Sequence, residues 1–295
     1  MSAPTHIEAD LRGKRAVVTG ATSGIGAVTA SELARLGAEV IVIARDEARG
    51  RKTLADVTLA GEQATRPQSP QHRLVMADFA DLATVHQAAE EIRALGPLDI
   101  LVNNAGLIVG SRTITVDGNE LTFQVNHLAH FLLTNLLLDS LRAAQGARVI
   151  HVSSGAHARA FRGICFDDLT CERGYNAFGA YAQAKLANIL FAYEMARRFG
   201  GSGISSNAMH PGVVRTGFGR GWDDLSGIAW NLLSPLWQTP EQGADTVIWL
   251  AASSEAQGET GRYFYKRRAK RSSAASNNQA AAKRLWSVSE ELVSR

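Results

Sequence analysis

The chain has 295 residues, 45% of them apolar and 20% charged, and a formal net charge of +3. This balance excludes a disordered or collagen-like chain and fits a single globular α/β domain with a large buried core. Two cysteines, Cys165 and Cys171, are too few for a structural zinc set, so no metal is expected.

From the N-terminus, Met1 to Asp10 is short and polar and holds no apolar leader segment. Short β-branched runs then alternate with helical stretches. Strands are expected at Arg15–Val18, Glu39–Ala44, His72–Ala77, Asp99–Val102, Arg148–Val152 and Ile204–Ala208, with a weak seventh at Arg262–Phe264. Helices are expected at Ile25–Leu36, Glu47–Ala60, Leu82–Leu95, His127–Ala144, Tyr181–Phe199, Gln242–Ala252 and Ala280–Leu292. Continuous apolar strands are buried on both faces, so the alternation predicts a doubly wound parallel sheet of about seven strands with helices on both faces. The most apolar run, Ile100–Val109, is interrupted by Asn103, Asn104 and Gly106 and is far too short to cross a bilayer. A soluble cytoplasmic protein with no membrane span is therefore expected. The basic run Lys266–Arg271 reads as a solvated surface segment rather than a nucleic-acid site, and Arg267–Ala281 as a surface loop.

Chemistry enters at the first turn. Gly20, Gly24 and Gly26 stand between a strand and a helix, with Thr22, Ser23 and Ile25 among them. Glycine lets the backbone approach a pyrophosphate, and the helix N-terminus offers free N–H groups. A plain tight turn is the alternative. At the end of the second strand, where a site for NAD carries a carboxylate, the sequence reads Ala44-Arg45. A guanidinium suits a 2′-phosphate, so NADP(H) is expected over NAD(H), with Asp46 as the next helix's N-cap. Further along, Tyr181 and Lys185 are four apart and share a helical face. A phenol titrates at about 10, and a neighbouring ammonium favours its ionised form. Ser153 and Ser154 end the fifth strand, at the sheet edge where ligands bind.

The turn Thr19-Gly20-Ala21-Thr22-Ser23-Gly24-Ile25-Gly26, the Asn103-Asn104-Ala105-Gly106 segment and Tyr181-Ala182-Gln183-Ala184-Lys185 resemble the short-chain dehydrogenase/reductase family. Tyr181 to Phe191 and Arg284 to Leu292 are similar to its retinol-dehydrogenase-like and protochlorophyllide-reductase-like branch. The resemblance runs from about Leu11 to the C-terminus and implies one Rossmann-type domain over 1–295. It places a substrate lid at about 213–240 and a last helix at about 278–293. Animal retinol dehydrogenases often carry an N-terminal membrane anchor, and none is expected here.

The same resemblance implies a catalytic set of Asn126, Ser154, Tyr181 and Lys185. Ser154 would hold the substrate oxygen and Tyr181 move the proton. Lys185 would lower the tyrosine pKa and bind the nicotinamide ribose. Asn126, at a helix break, would hold a relay water. Asp78 and Phe79 would lie beside the adenine, with Asn104, Ala105 and Gly106 along the adenosine. Pro211, Gly212, Val214 and Thr216 would face the nicotinamide amide. The apolar residues from Phe218 to Trp237 suggest either a bulky lipophilic substrate or ordinary packing, and the insertion Phe161–Gly179 a second wall. His127–Leu141 and Tyr181–Phe199 fit the family's dimer interface, hence a homo-oligomer (dimer or tetramer), or else simple core. The function implied is interconversion of a small-molecule carbonyl and alcohol with NADP(H). Alternatives are reduction of a carbon–carbon double bond on the same scaffold, or a non-catalytic NADP-sensing regulator.

Overall fold

Valine, isoleucine and leucine fill strands β1 (Arg15–Thr19), β2 (Glu39–Ala44), β3 (Arg73–Met76), β4 (Ile100–Asn103) and β5 (Arg148–Val152). Three more follow: β6 (Ser205–Met209), β7 (Tyr263–Tyr265) and β8 (Arg268–Lys270). In the computed structural model, which describes residues 7–63, 70–214 and 238–294, they form one sheet. The order is β3-β2-β1-β4-β5-β6-β7-β8. Strands β3 through β7 run parallel, and β8 runs antiparallel to β7. Strand order reverses between β1 and β4, which opens a crevice at their carboxyl ends.

Side chains alternate across each strand. Ala16, Val18, Val40 and Val42 face helices α1 (Gly24–Arg35), α2 (Glu47–Glu62) and α8 (Pro240–Ala252). Val17, Ile41, Ile43 and Leu101 face α3 (Leu82–Arg93), α5 (Ala129–Leu136), α7 (Ala177–Phe199) and α9 (Gln279–Val293). Both faces are therefore dry, as expected of a parallel sheet.

Two expectations need correction. First, the sheet has eight strands rather than seven. The basic run folds back as β8, with Tyr265 opposite Arg268 and Tyr263 opposite Lys270. The two-residue loop, Lys266-Arg267, has φ of +51° and +59°. Such primed hairpin turns usually carry Asn or Gly, so no turn signal marked it. The strain is offset locally. The Arg267 amide donates to Thr246 Oγ1 at 3.1 Å, and its guanidinium grips both oxygens of Asp245. Beyond it, Ser272 and Ser276 are buried, so 267–281 is not a plain surface loop.

Second, the helix expected over His127–Ala144 is broken. A short α4 (Leu121–Phe123) runs into a π-helical turn, Gln124–Leu128, then α5 and a separate α6 (Leu138–Ala143). The faces at His127–Leu141 and Tyr181–Phe199, expected either to pair two copies or to be simple core, pack against α9 within the chain. Helix α9 packs along α7, and the Trp286 ring sits 5.0 Å from Phe131, 5.6 Å from Phe191 and 5.9 Å from Phe199. His127 Nε2 lies 3.0 Å from Ser289 Oγ. These helices are core. No helix of the described residues is long and apolar enough to cross a membrane.

Candidate active site

The turn after β1 is shaped by what its glycines lack. Gly20 has φ of +63°, and a Cβ there would stand 2.7 Å from Ala105 Cα. A Cβ at Gly26 would stand 2.4 Å from Gly20 O and 2.5 Å from Asn104 Nδ2. Gly24 also has positive φ, at +56°. Ser23 is the N-cap residue of α1 but makes no side-chain cap, and the first turn holds no acidic residue. Helix α1 thus presents its positive end to the crevice with Thr22 and the exposed Ser23 beside it.

Thr19, which the sequence reading passed over, ties this turn to the next loop. Its Oγ1 accepts from the amides of Asn104 and Ala105, both at 2.9 Å. Asn104 Nδ2 returns a bond to Thr19 O at 2.8 Å. Buried His130 completes the set. Its Nδ1 is 3.1 Å from the Asn126 carbonyl, which can only accept, so Nδ1 carries the proton. Its Nε2 then accepts from the Thr19 hydroxyl at 2.9 Å. Burial pushes this imidazole down to about 3, in keeping with a neutral ring.

On the adenine side, Arg45 stands exposed at the end of β2. Asp46 caps α2 by accepting from Arg49 N at 2.8 Å, as expected. Asp78 is not the cap of α3; Asp81 is. Asp78 Oδ1 accepts from Ala80 N at 3.0 Å and holds its own turn. The Phe79 ring is buried, its centre 5.0 Å from that of His130.

At the ends of β4 and β5 the four candidate catalytic side chains converge. Lys185 Nζ donates to Val152 O at 3.0 Å and lies 5.6 Å from the Tyr181 ring centre. The Tyr181 phenol is hydrogen-bonded to Ser154. Ser153, the rival serine, is buried and donates to Lys185 O at 2.7 Å, which anchors α7 to β5. Ser154 is half-buried at the crevice, and its Oγ accepts from Ala156 N at 3.2 Å.

Asn126 lies in the π-helical turn, and both ends of its amide meet Leu107. Oδ1 accepts from Leu107 N at 2.7 Å, and Nδ2 donates to Leu107 O at 2.9 Å. A Cβ at Gly106 would fall 3.2 Å from Asn126 Oδ1 and 3.3 Å from Lys185 Nζ, so only glycine leaves that slot open.

In the chain alone burial pushes Tyr181 up to about 12, opposed by the Ser154 hydrogen bond. Burial also pushes Lys185 down to about 8. Desolvation of the phenolate outweighs any help from the lysine.

After β6, Gly212 has φ of +90°, and a Cβ there would collide with Gln238 Oε1 at 2.4 Å. Val214 and Ile25 share the surface of Gly243 on α8, so this loop touches the first turn. His210, just before Pro211, was not singled out by sequence; a histidine preceding a Pro-Gly turn was the available signal. Thr216 and the expected lid residues 215–237 lie outside the described residues. The insertion is anchored by Tyr175, whose hydroxyl donates to Val109 O at 2.9 Å.

The reversed strand order, the glycine-shaped turn and the cluster on α7 define a dinucleotide-binding oxidoreductase fold. The family model for short chain dehydrogenase matches residues 14–166. Retinol dehydrogenase 14 of Mus musculus is 40% identical over 294 residues, covering 96% of this chain and 86% of its own length. An uncharacterized protein from Mycobacterium paratuberculosis superposes with a TM-score of 0.76 at 31% identity, over 99% of this chain and 97% of its own. A short chain dehydrogenase from Burkholderia cenocepacia J2315, solved in complex with NADP, gives 0.67 at 27% identity, over 86% and 96%. The chain belongs to the short-chain dehydrogenase family, oxidoreductases that act on CH–OH and C=O groups with a nicotinamide dinucleotide.

Proposed function

We propose that the protein interconverts a lipophilic carbonyl compound and its alcohol, using NADP(H) in preference to NAD(H). The observation that carries this reading is the convergence of Tyr181, hydrogen-bonded to Ser154, with Lys185 at the crevice opening of β4 and β5.

The bound nicotinamide supplies or accepts the hydride. Ser154 donates a hydrogen bond to the substrate oxygen and steadies its developing charge. Tyr181 passes its proton to that oxygen during reduction. In the chain alone the phenol is protonated at neutral pH, as donation to the substrate oxygen requires. Lys185 presents a buried ammonium beneath the phenol and faces the slot at Gly106. Asn126 holds Leu107, and through it the wall of that slot.

The open crevice edge at Gly20, Gly26 and α1 fits a pyrophosphate, with Thr22, Ser23, Gly24 and Ile25 around it. Exposed Arg45 beside Ala44 supports a 2′-phosphate partner. Asp78, Asn104, Ala105 and Gly106 border the adenosine side, and Pro211, Gly212 and Val214 the nicotinamide side. For a lipophilic substrate the support is an apolar rim. The Phe178 ring is 42% exposed with its centre 6.5 Å from that of Tyr181, and Val213, beside the Gly212 turn, is 52% exposed. Relatives named retinol dehydrogenases point the same way.

The test is NADPH oxidation with straight-chain aldehydes. kcat/KM should rise at least tenfold from four to eight carbons, because each buried CH₂ contributes about 0.8 kcal/mol before ordering costs. Tyr181→Phe should lower kcat by about 100-fold or more while NADPH binds within about twofold of wild type. A variant that keeps more than a tenth of the activity removes Tyr181 as the acid, and a flat series removes the apolar pocket.

A further inference from the structure

Two histidines outside the catalytic set meet at one peptide bond. The carbonyl of Ser154 lies 2.7 Å from His157 Nδ1, and the amide of Gly155 donates to His210 Nδ1 at 3.1 Å. The C=O and N–H ends of the Ser154–Gly155 peptide are thus each held by an imidazole. We propose that His157 and His210 form a clamp on this peptide that aims the Ser154 hydroxyl at the substrate oxygen. They are positioning residues, and the proposal rests on the reading of Ser154 given above.

The hydrogen-bond partners fix the chemistry of the clamp. A carbonyl can only accept, so His157 carries its proton on Nδ1, and its Nε2 accepts from Ser273 N at 3.3 Å. His210 must do the reverse. Its Nδ1 accepts from two amides, Gly155 and Gly212 at 3.2 Å, so its proton sits on Nε2. The two rings are neutral and of opposite tautomer. Burial pushes both below the usual histidine value, His210 to about 4, with His157 and Lys270 adding to the effect on His210.

Each ring is backed by the C-terminal hairpin. His157 stands edge-on to Tyr263 at 5.1 Å, and His210 stacks on Tyr265 at 4.8 Å with 19° between planes. The His210 amide also donates to Phe264 O at 3.0 Å. Above Tyr265 lie the ammonium groups of Lys266, at 5.4 Å, and Lys270, at 4.9 Å. The basic hairpin therefore buttresses the serine turn. Because His210 also holds Gly212, one ring joins the serine turn to the turn assigned to the nicotinamide.

Direction matters because Ser154 must meet both the Tyr181 phenol and the substrate oxygen. It precedes a five-residue 3₁₀ turn, Gly155–Arg159, and its hydroxyl has one amide partner, Ala156 N. Rotation of the 154–155 peptide would carry the side chain with it, and misplacement by about 1 Å is enough to lower a rate 100-fold.

The experiment has two arms on the full chain. Histidine-selective ¹⁵N spectra at pH 7 should show His157 protonated at Nδ1 and His210 at Nε2. A cationic ring at either position, or the opposite tautomer, overturns the clamp. Then His210→Ala and His210→Asn are compared; the asparagine Oδ1 replaces the acceptor Nδ1. In His210→Ala, hydrogen exchange of the Gly155 amide should accelerate at least tenfold. With octanal as the probe and NADPH saturating, kcat should drop at least tenfold, and His210→Asn should recover most of both losses. Unchanged Gly155 exchange in His210→Ala, or kcat within twofold of wild type, overturns the proposal. Failure of the catalytic reading is separate: Tyr181→Phe would then remain active, whereas the tautomers and Gly155 exchange would be as stated. If His210→Ala does not fold, the wild-type tautomers decide.

Discussion

Two turns at the same edge of the sheet are built in opposite ways. The turn after β1 is made by absence: Gly20 and Gly26 leave room where any Cβ would strike backbone. The turn after β5 is made by presence: Gly155 is held by His210, 55 residues on, and Ser154 by His157, which Ser273 backs from 116 residues away. A turn made of missing atoms is written in its own few residues. A turn made of distant side chains is written across the whole chain. The first is broken by adding atoms and the second by removing them or changing their charge.

Acid should break both at once and gives the largest effect. His130 on the first side, with buried His127 and His151, is pushed down to about 3, and His210 on the second to about 4. An unfolded chain takes up protons on these rings at about pH 6.5 while the native one does not. Stability should therefore be complete above pH 6.5 and fall steadily as pH drops toward 4, by several kcal/mol in all. Urea midpoints measured from pH 7.5 to 4.5 check this, and His151→Gln should flatten the slope. A level profile over that range would contradict the neutral-ring account.

Adding atoms to the first turn comes next. Gly26→Val drives a branched side chain into Gly20 O and Asn104, and NADPH affinity should weaken by at least 100-fold, about 2.7 kcal/mol. Calorimetric titration reads it; an affinity within fivefold of wild type would show that the turn yields. Thr19→Val then tests the link between the two loops. It strands the amides of Asn104 and Ala105, and should cost about 1–3 kcal/mol in urea unfolding. A change below half a kilocalorie would mean that water replaces the hydroxyl. The smallest effect is at the rim. Arg45→Ala should erase an NADP(H) preference of about tenfold, about 1.4 kcal/mol, leaving NAD(H) binding unchanged. Equal wild-type dissociation constants for the two cofactors would remove Arg45 from the reading.

The same contrast explains what was legible. Strands Glu39–Ala44 and Arg148–Val152 match residue for residue, because six and five apolar-rich residues in a buried parallel sheet leave no other register. Asp46 as N-cap, the glycine turn and the Tyr181–Lys185 face follow from spacing alone. Strand β8 was hidden because Lys266 and Arg267 adopt left-handed φ without a glycine, held by Asp245 and Thr246 from α8. The break at Asn126 was implied by the resemblance alone; its partner Leu107, which bonds both ends of the amide, stands 19 residues earlier. Thr19, His130 and His210 stand in the site through partners far along the chain, and His157 through a carbonyl three residues back.

Helix α9 adds a dimension of time. A ribosome delivers the chain from its N-terminus at about 5–20 residues per second. About 80 residues separate Phe199, the end of α7, from Gln279, the start of α9. For roughly 4–16 s at that rate, Phe131, Phe191 and Phe199 are made but Trp286 is not. The nascent protein then carries every catalytic side chain together with an adhesive aromatic flank. Its last 15-residue helix is thus a built-in seal, and trimming that end in a cell or a preparation would yield molecules that stick before they fail to react.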